Sequence, residues 1–323
     1  MRVLSAIAGA VLLVFSSPAY ARDGLGVVDL TAQFDRFAMA TMDMPDEQRV
    51  RAFEKQIGPL ANGFYSRERN PDGYDFRVLV QLKTYPQRRN AVLAVSRRFN
   101  AQFAPARQKF EAVFGPVNAR QPALLIDSMG ELDGGMRKLK GRSTLLFGAD
   151  LIAEFHAGQS LNAFFYHELF HLYHEPTVIE CMAVWCSLWE EGLATYVSSK
   201  LDPGASDDEL VLNLPEPIRP AVEADRQSAV CAIVRRMDSN TDRDFSAFFM
   251  GDDQMPGFPS RMGYYIGYLV AADIGRTHTI RQMTDMSLVE ARPFIDASLA
   301  RMATCPTTTS EARERNRTHR TGS

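Results

Sequence analysis

Phe164-Phe165-Tyr166-His167-Glu168-Leu169-Phe170-His171-Leu172-Tyr173-His174 is the stretch from which the rest of the chain can be read. His167 and His171 stand four residues apart, so a helix would set both imidazoles on one face, one turn apart. Two neutral imidazoles so placed can hold one Zn²⁺. Glu168 would then lie beside the ion, where it can take a proton from a bound water. The surrounding pattern is helical, with Phe165, Leu169 and Leu172 forming an apolar face opposite the histidines. Pro176 is expected to end the segment.

Two imidazoles need a third protein ligand. His174 lies two turns from His167, while the ion would sit between His167 and His171, so His174 is expected beside the site or at the surface. The HExxHxxGxxH arrangement is absent, because histidine and threonine stand at 174 and 177. The remaining candidates are carboxylates, and Trp189-Glu190-Glu191-Gly192-Leu193-Ala194-Thr195-Tyr196 supplies Glu190 and Glu191.

His167 to His171 followed by Glu-Gly-x-Ala-x-Tyr resembles the gluzincin zinc metallopeptidases, with its closest local likeness to their aminopeptidase branch. In register with that pattern, the resemblance implies Glu191 as third zinc ligand. The usual gap after the second histidine is eighteen residues and here it is nineteen; Glu190 restores the count but breaks the local register. Small residues after Glu191 are expected to let its helix approach the metal helix. Further on, Arg261-Met262-Gly263-Tyr264-Tyr265-Ile266-Gly267-Tyr268 is similar to the family's Tyr-x-x-Gly run. That implies Tyr264 as the hydroxyl that stabilises a tetrahedral oxyanion, with Tyr265 and Tyr268 as alternatives. Gly263 and Gly267 equally suit an aromatic packing helix that admits a neighbour.

The family's Gly-x-Met-Glu-Asn segment, which holds a substrate amino terminus, has no match in Gly130–Met136 or Leu146–Asp150. The resemblance therefore implies zinc hydrolysis without exopeptidase specificity. It covers Leu161–Val197 well, Met262–Ala271 weakly and the N-terminal third not at all, which places the chain nearest to predicted zinc-dependent proteases sharing only this core. The expected fold is α+β and predominantly helical, a zincin-like catalytic core with a small β-sheet preceding the metal helix. The expected activity is peptide-bond hydrolysis by metal-activated water with Glu168 as general base and Zn²⁺ as cofactor. A zinc-binding scaffold with an idle site, or hydrolysis of a non-peptide amide or ester, would use the same constellation.

Outward from this core, Ala123–Ile126 and Ser143–Gly148 are strand candidates and Gly134-Gly135 is a turn signal. By analogy with the family, a strand near Ser143–Phe147 is expected at a sheet edge, pairing with extended substrate. The helical pattern runs from Leu161 to about Lys200, with further helices near Ile218–Met237 and Met262–Ile274 and a loop over Pro203–Asp208. Residues 22–120 read as a mostly helical region and 121–305 as the catalytic region. Pro45-Asp46-Glu47 resembles a helix start. Phe99, Phe103, Phe110 and Phe114, with Val92 and Val95, recur at helical spacing as core, and Pro105 is expected to split or kink their helix.

Residues 1–21 carry the marks of a cleavable signal peptide. Arg2 precedes an apolar run to Phe15, Ser16-Ser17-Pro18 breaks it, and Ala19-Tyr20-Ala21 offers a cleavage site after Ala21. A secreted or periplasmic protein is expected, without stable membrane insertion after cleavage. In an oxidising compartment Cys181, Cys186, Cys231 and Cys305 become disulfide candidates. Cys181 and Cys186, five apart on an apparent helix, would point to different faces, which disfavours their pairing. Residues 306–323 have almost no apolar content and are expected to be a disordered tail. The chain has 323 residues, 46% hydrophobic, and a net charge of −3, so no basic field draws nucleic acid; a peptide or protein substrate is the expected partner.

Overall fold

The computed structural model describes residues 25–117, 119, 121–178, 181–251 and 257–306, with side chains of 175–178 excepted. The expected signal peptide and, apart from Pro306, the expected tail fall outside the described residues. The fold is α+β: 60% helical, with twelve helices and one four-stranded sheet among the described residues.

The chain opens with β1 (Val27–Asp29), α1 (Thr31–Ala40) and α2 (Asp46–Gln56). Pro45 caps α2, whose first turn carries Asp46 and Glu47 against the helix dipole, as the sequence suggested. Next comes α3 (Tyr74–Phe114), 41 residues running without a break through Pro86 and Pro105. Each proline removes one backbone hydrogen bond. A helix whose Phe99, Phe103, Phe110 and Phe114 are all buried has enough packing to carry that loss, so Pro105 does not split it.

The sheet is formed by β1, β2 (Ala123–Ile126), β3 (Gly134–Leu139) and β4 (Arg142–Gly148), in the order β1-β2-β4-β3. Strands β1, β2 and β4 are parallel, and β3 runs antiparallel to β4 at one edge. Two expectations are corrected here. Gly134-Gly135 is not a turn but the start of β3, and Ser143–Phe147 lies inside the sheet. The turn is instead Lys140-Gly141, both at positive φ, the two-residue geometry that matches strand twist. Because β1 comes from the N-terminal stretch, the sheet and one continuous apolar core join the two halves of the sequence. A cluster of Phe99, Phe103, Phe147 and Phe165, with ring centroids 4.9–5.7 Å apart, ties α3 to β4 and to the helix that carries His167 and His171.

After β4 come α4 (Ala149–Phe155), α5 (Asn162–Val178) and α6 (Val184–Leu201). The helical run is thus two helices, and α5 extends two residues past Pro176 before it ends. Cys181 lies outside both helices, which corrects the reading of the cysteines: with its backbone free of α6, Cys181 comes within a Cα separation of 6.0 Å of Cys186 and pairs with it. Cys231 pairs with Cys305. The chain continues with α7 (Ile218–Ala224), α8 (Arg226–Val234), α9 (Asp242–Phe249), α10 (Met262–Ile274), α11 (Ile280–Thr284) and α12 (Leu288–Met302). No helix among the described residues is long and apolar enough to cross a membrane.

Helix α6 packs most closely on α10, not on α5. A Cβ built on Gly192 would fall 2.1 Å from the backbone of Gly267, so the two glycines let these helices touch backbone to backbone. Gly192 serves that contact, which corrects, for this residue, the expectation that it admits the helix of His167 and His171. Gly263 in turn makes room for Phe249 on α9.

Candidate metal centre

Helix α5 is buried on nearly every side, because α3, the sheet and α6 surround it. Phe165, Leu169 and Phe170 are buried as core, and His167 and Glu168, each 6% exposed, are buried as polar groups. Their burial is costly unless each finds a partner. For His167 the partner comes from α6, where the turn before Gly192 delivers Glu191.

Three donor atoms converge. His167 Nε2 lies 2.9 Å from His171 Nε2, and Glu191 Oε2 lies 3.1 Å from the first and 3.3 Å from the second. A tetrahedral ion with bonds near 2.0–2.1 Å would space its ligands about 3.3 Å apart. Among the described residues, these three form the group that could hold a metal ion. Glu190 does not join them; its Oε1 lies 3.5 Å from Nδ1 of His171, on the other side of that ring. A carboxylate there orients a metal-binding imidazole.

Glu168 stands next to this triangle. Its Oε2 is buried and meets no hydrogen-bond partner among the described residues. A buried carboxylate oxygen without a partner is rare, and a water held on an adjacent ion would satisfy it. The donor set and this unpaired oxygen together fit a metal.

Electrostatics follow from the same crowding. Burial pushes the Glu168 carboxyl up to about 8. Burial would also raise Glu191, but the His171 and His167 imidazoles hold its carboxyl well below the usual range. Burial keeps His167 below its ordinary value, whereas for His171 the facing Glu191 and Glu190 overcome burial and raise it. The centre therefore holds a charged carboxylate against imidazoles and keeps a neighbouring carboxyl ready to bind a proton.

Of the three candidate tyrosines only Tyr264 borders the site, its ring stacked 6.0 Å from that of His167. Tyr265 donates its hydroxyl to Glu223, and Tyr268 packs against Tyr196 and Tyr265. His174 stays outside the donor set but is not at the surface. It is 1% exposed against Phe170, where burial holds it down at about 4.

The centre opens into a cleft of about 590 Å³ between β3 and the start of α10. Several of its residues gave no functional signal in the sequence. Gly134 and Gly135 form the wall beside Glu168, and their spacing read as a turn because close backbone approach and chain reversal both favour glycine. Asp133, bound to the buried His156 at 2.9 Å, and Arg261 reach the cleft only through tertiary packing. Phe245, Phe249, Leu214 and Met250 make an apolar wall.

Compared with known proteins, the chain matches no family model, no curated protein and no solved structure.

Proposed function

We propose that this protein is an exported zinc-dependent peptidase with a gluzincin-type, zincin-like core. The observation that carries the reading is the convergence of His167 Nε2, His171 Nε2 and Glu191 Oε2 beside the unpaired Oε2 of Glu168. His167, His171 and Glu191 would hold the ion, and softer nitrogen donors with one carboxylate suit zinc better than magnesium or calcium. Bound there, zinc would supply Lewis acidity and an acidified water.

The chain's own groups do the rest. Glu168 accepts a proton at Oε2 and passes it to the leaving nitrogen, a task suited to a carboxyl held near neutrality. Tyr264 lines the cleft with its ring beside His167, and its hydroxyl would donate to oxygen charge as it develops. The edge strand β3 lines the cleft from Gly134 to Arg137, where extended substrate would add as a further strand. The apolar wall of Phe245 and Phe249 would take an uncharged side chain of that substrate.

Metal content and cleavage of mixed peptide libraries test this together. One zinc per chain is expected, lost in Glu191→Ala and retained in Glu190→Ala, with cleavage abolished in Glu168→Gln while zinc stays bound. Zinc retained in Glu191→Ala would break the ligand assignment. Zinc bound without any cleavage by the wild type would turn the reading into an exported zinc-binding protein.

A further inference from the structure

Arg261 occupies the position just before α10 with φ of 62°, a left-handed conformation that glycine or asparagine adopts more easily. An arginine held there puts its charge to use in a particular place. Its guanidinium lies over the Tyr264 ring, 4.5 Å from the centroid, and lines the cleft.

The carboxylates nearest to it are already engaged. Asp133 accepts from the backbone N–H of Gly134 at 2.9 Å and sits 2.9 Å from Nε2 of His156. Glu191 belongs to the two imidazoles. Both act on Arg261 through space, yet among the described residues no carboxylate comes within the 4.0 Å of an ion pair. A planar fork of donors facing a cleft without a carboxylate of its own matches a carboxylate brought by a ligand.

Arg137 also lines the cleft, on the β3 side. Its guanidinium is paired with Glu131 at 2.9 Å, and Glu131 and Asp133 line the same side. Among the described residues, the positive charge in the cleft that no carboxylate pairs is therefore that of Arg261, and a substrate carboxylate would be drawn to it.

We propose that Arg261 is the cleft's carboxylate receptor, so that preferred substrates carry a free carboxylate beside the bond to be cut. That group is an Asp or Glu side chain or the peptide's own C-terminus. The claim about cleavage rests on the peptidase reading; the claim about binding does not.

The test uses the zinc-loaded protein and hexapeptide mixtures, acetylated and amidated, with each position fixed in turn as Glu or as Gln. A parallel set has free C-termini. At one position, or in the free-acid set, the wild type should cleave the carboxylate form roughly tenfold faster than its neutral twin. Arg261→Gln should bring that ratio to about one, and Arg261→Lys should keep part of it, since a point charge lacks the fork. Zinc content and circular dichroism establish that the variants are folded. Equal cleavage of every pair by the wild type, or an unchanged ratio in Arg261→Gln, overturns the proposal and leaves the peptidase reading intact. If no mixture is cleaved, the peptidase reading fails. Retention of the same mixtures by the zinc-loaded Glu168→Gln protein, read by mass spectrometry, then decides the binding claim: carboxylate forms enriched through Arg261 support it, and equal retention refutes it.

Discussion

Gly134 and Glu168 are packed so closely that no side chain fits between them. A Cβ on Gly134 would lie 2.7 Å from the carboxyl carbon of Glu168 and 2.6 Å from the Phe164 ring. The edge strand thus sets the position of the proposed general base by lacking an atom.

Gly134→Ala should therefore displace the Glu168 carboxyl without touching the metal ligands. A shift of about 1 Å in a reacting group costs roughly a hundredfold in rate. The expected result is a peptidase activity reduced by about that factor with zinc still at one per chain. Activity equal to wild type would mean that Glu168 does not need its present position.

Gly267→Ala tests the helix contact that delivers Glu191. Its Cβ would meet the Leu188 carbonyl oxygen at 2.2 Å, and backbone cannot rotate away as a side chain can. Overpacking of that kind costs about 3 kcal/mol, while alanine returns about 1 kcal/mol of helix propensity. A net loss of about 2 kcal/mol in urea unfolding is expected, with weaker zinc binding because Glu191 adjoins Gly192. Unchanged stability would show that α6 and α10 can separate freely.

Asp127 should make stability depend on pH. Burial, then the neighbouring Asp150, pushes its carboxyl up to about 7, although Arg88 donates to it at 2.7 Å. Since an unfolded aspartate titrates near about 4, the folded chain holds a proton there that the unfolded chain releases. Its contribution is fully present below that value and is lost as pH rises through about 7. Urea unfolding at about pH 5 and about pH 8 should show a larger fall for wild type than for Asp127→Asn. Parallel behaviour of the two proteins would contradict the shift.

The two disulfides should differ in weight. The Cys231–Cys305 bridge spans 74 residues and Cys181–Cys186 spans 5. Loop-closure entropy assigns them about 4 and about 2 kcal/mol respectively. Cys231→Ala with Cys305→Ala should thus destabilise more than Cys181→Ala with Cys186→Ala, measured by thermal unfolding under non-reducing conditions. The reverse order would place the main effect of the short bridge in the folded state, at the junction between α5 and α6.

Spacing determined much of this protein by itself. His167 and His171 share a helix face because 3.6 residues make a turn, and that relation is local. The buried strands Ala123–Ile126 and Ser143–Gly148 and the bounds of α10 were likewise legible, since apolar runs and periods report burial along one segment. Tertiary structure alone decided the rest. Glu191 reaches Nε2 of both imidazoles while Glu190 reaches only Nδ1 of His171, a choice set by how α6 packs between α5 and the sequence-distant α10. Cys181 reaches Cys186 because α6 begins only at Val184, so Cys181 precedes the helix that carries Cys186, which periodicity did not reveal. Gly134 and Arg261 enter the cleft through strand pairing and helix packing, interactions between segments that no single segment's pattern contains.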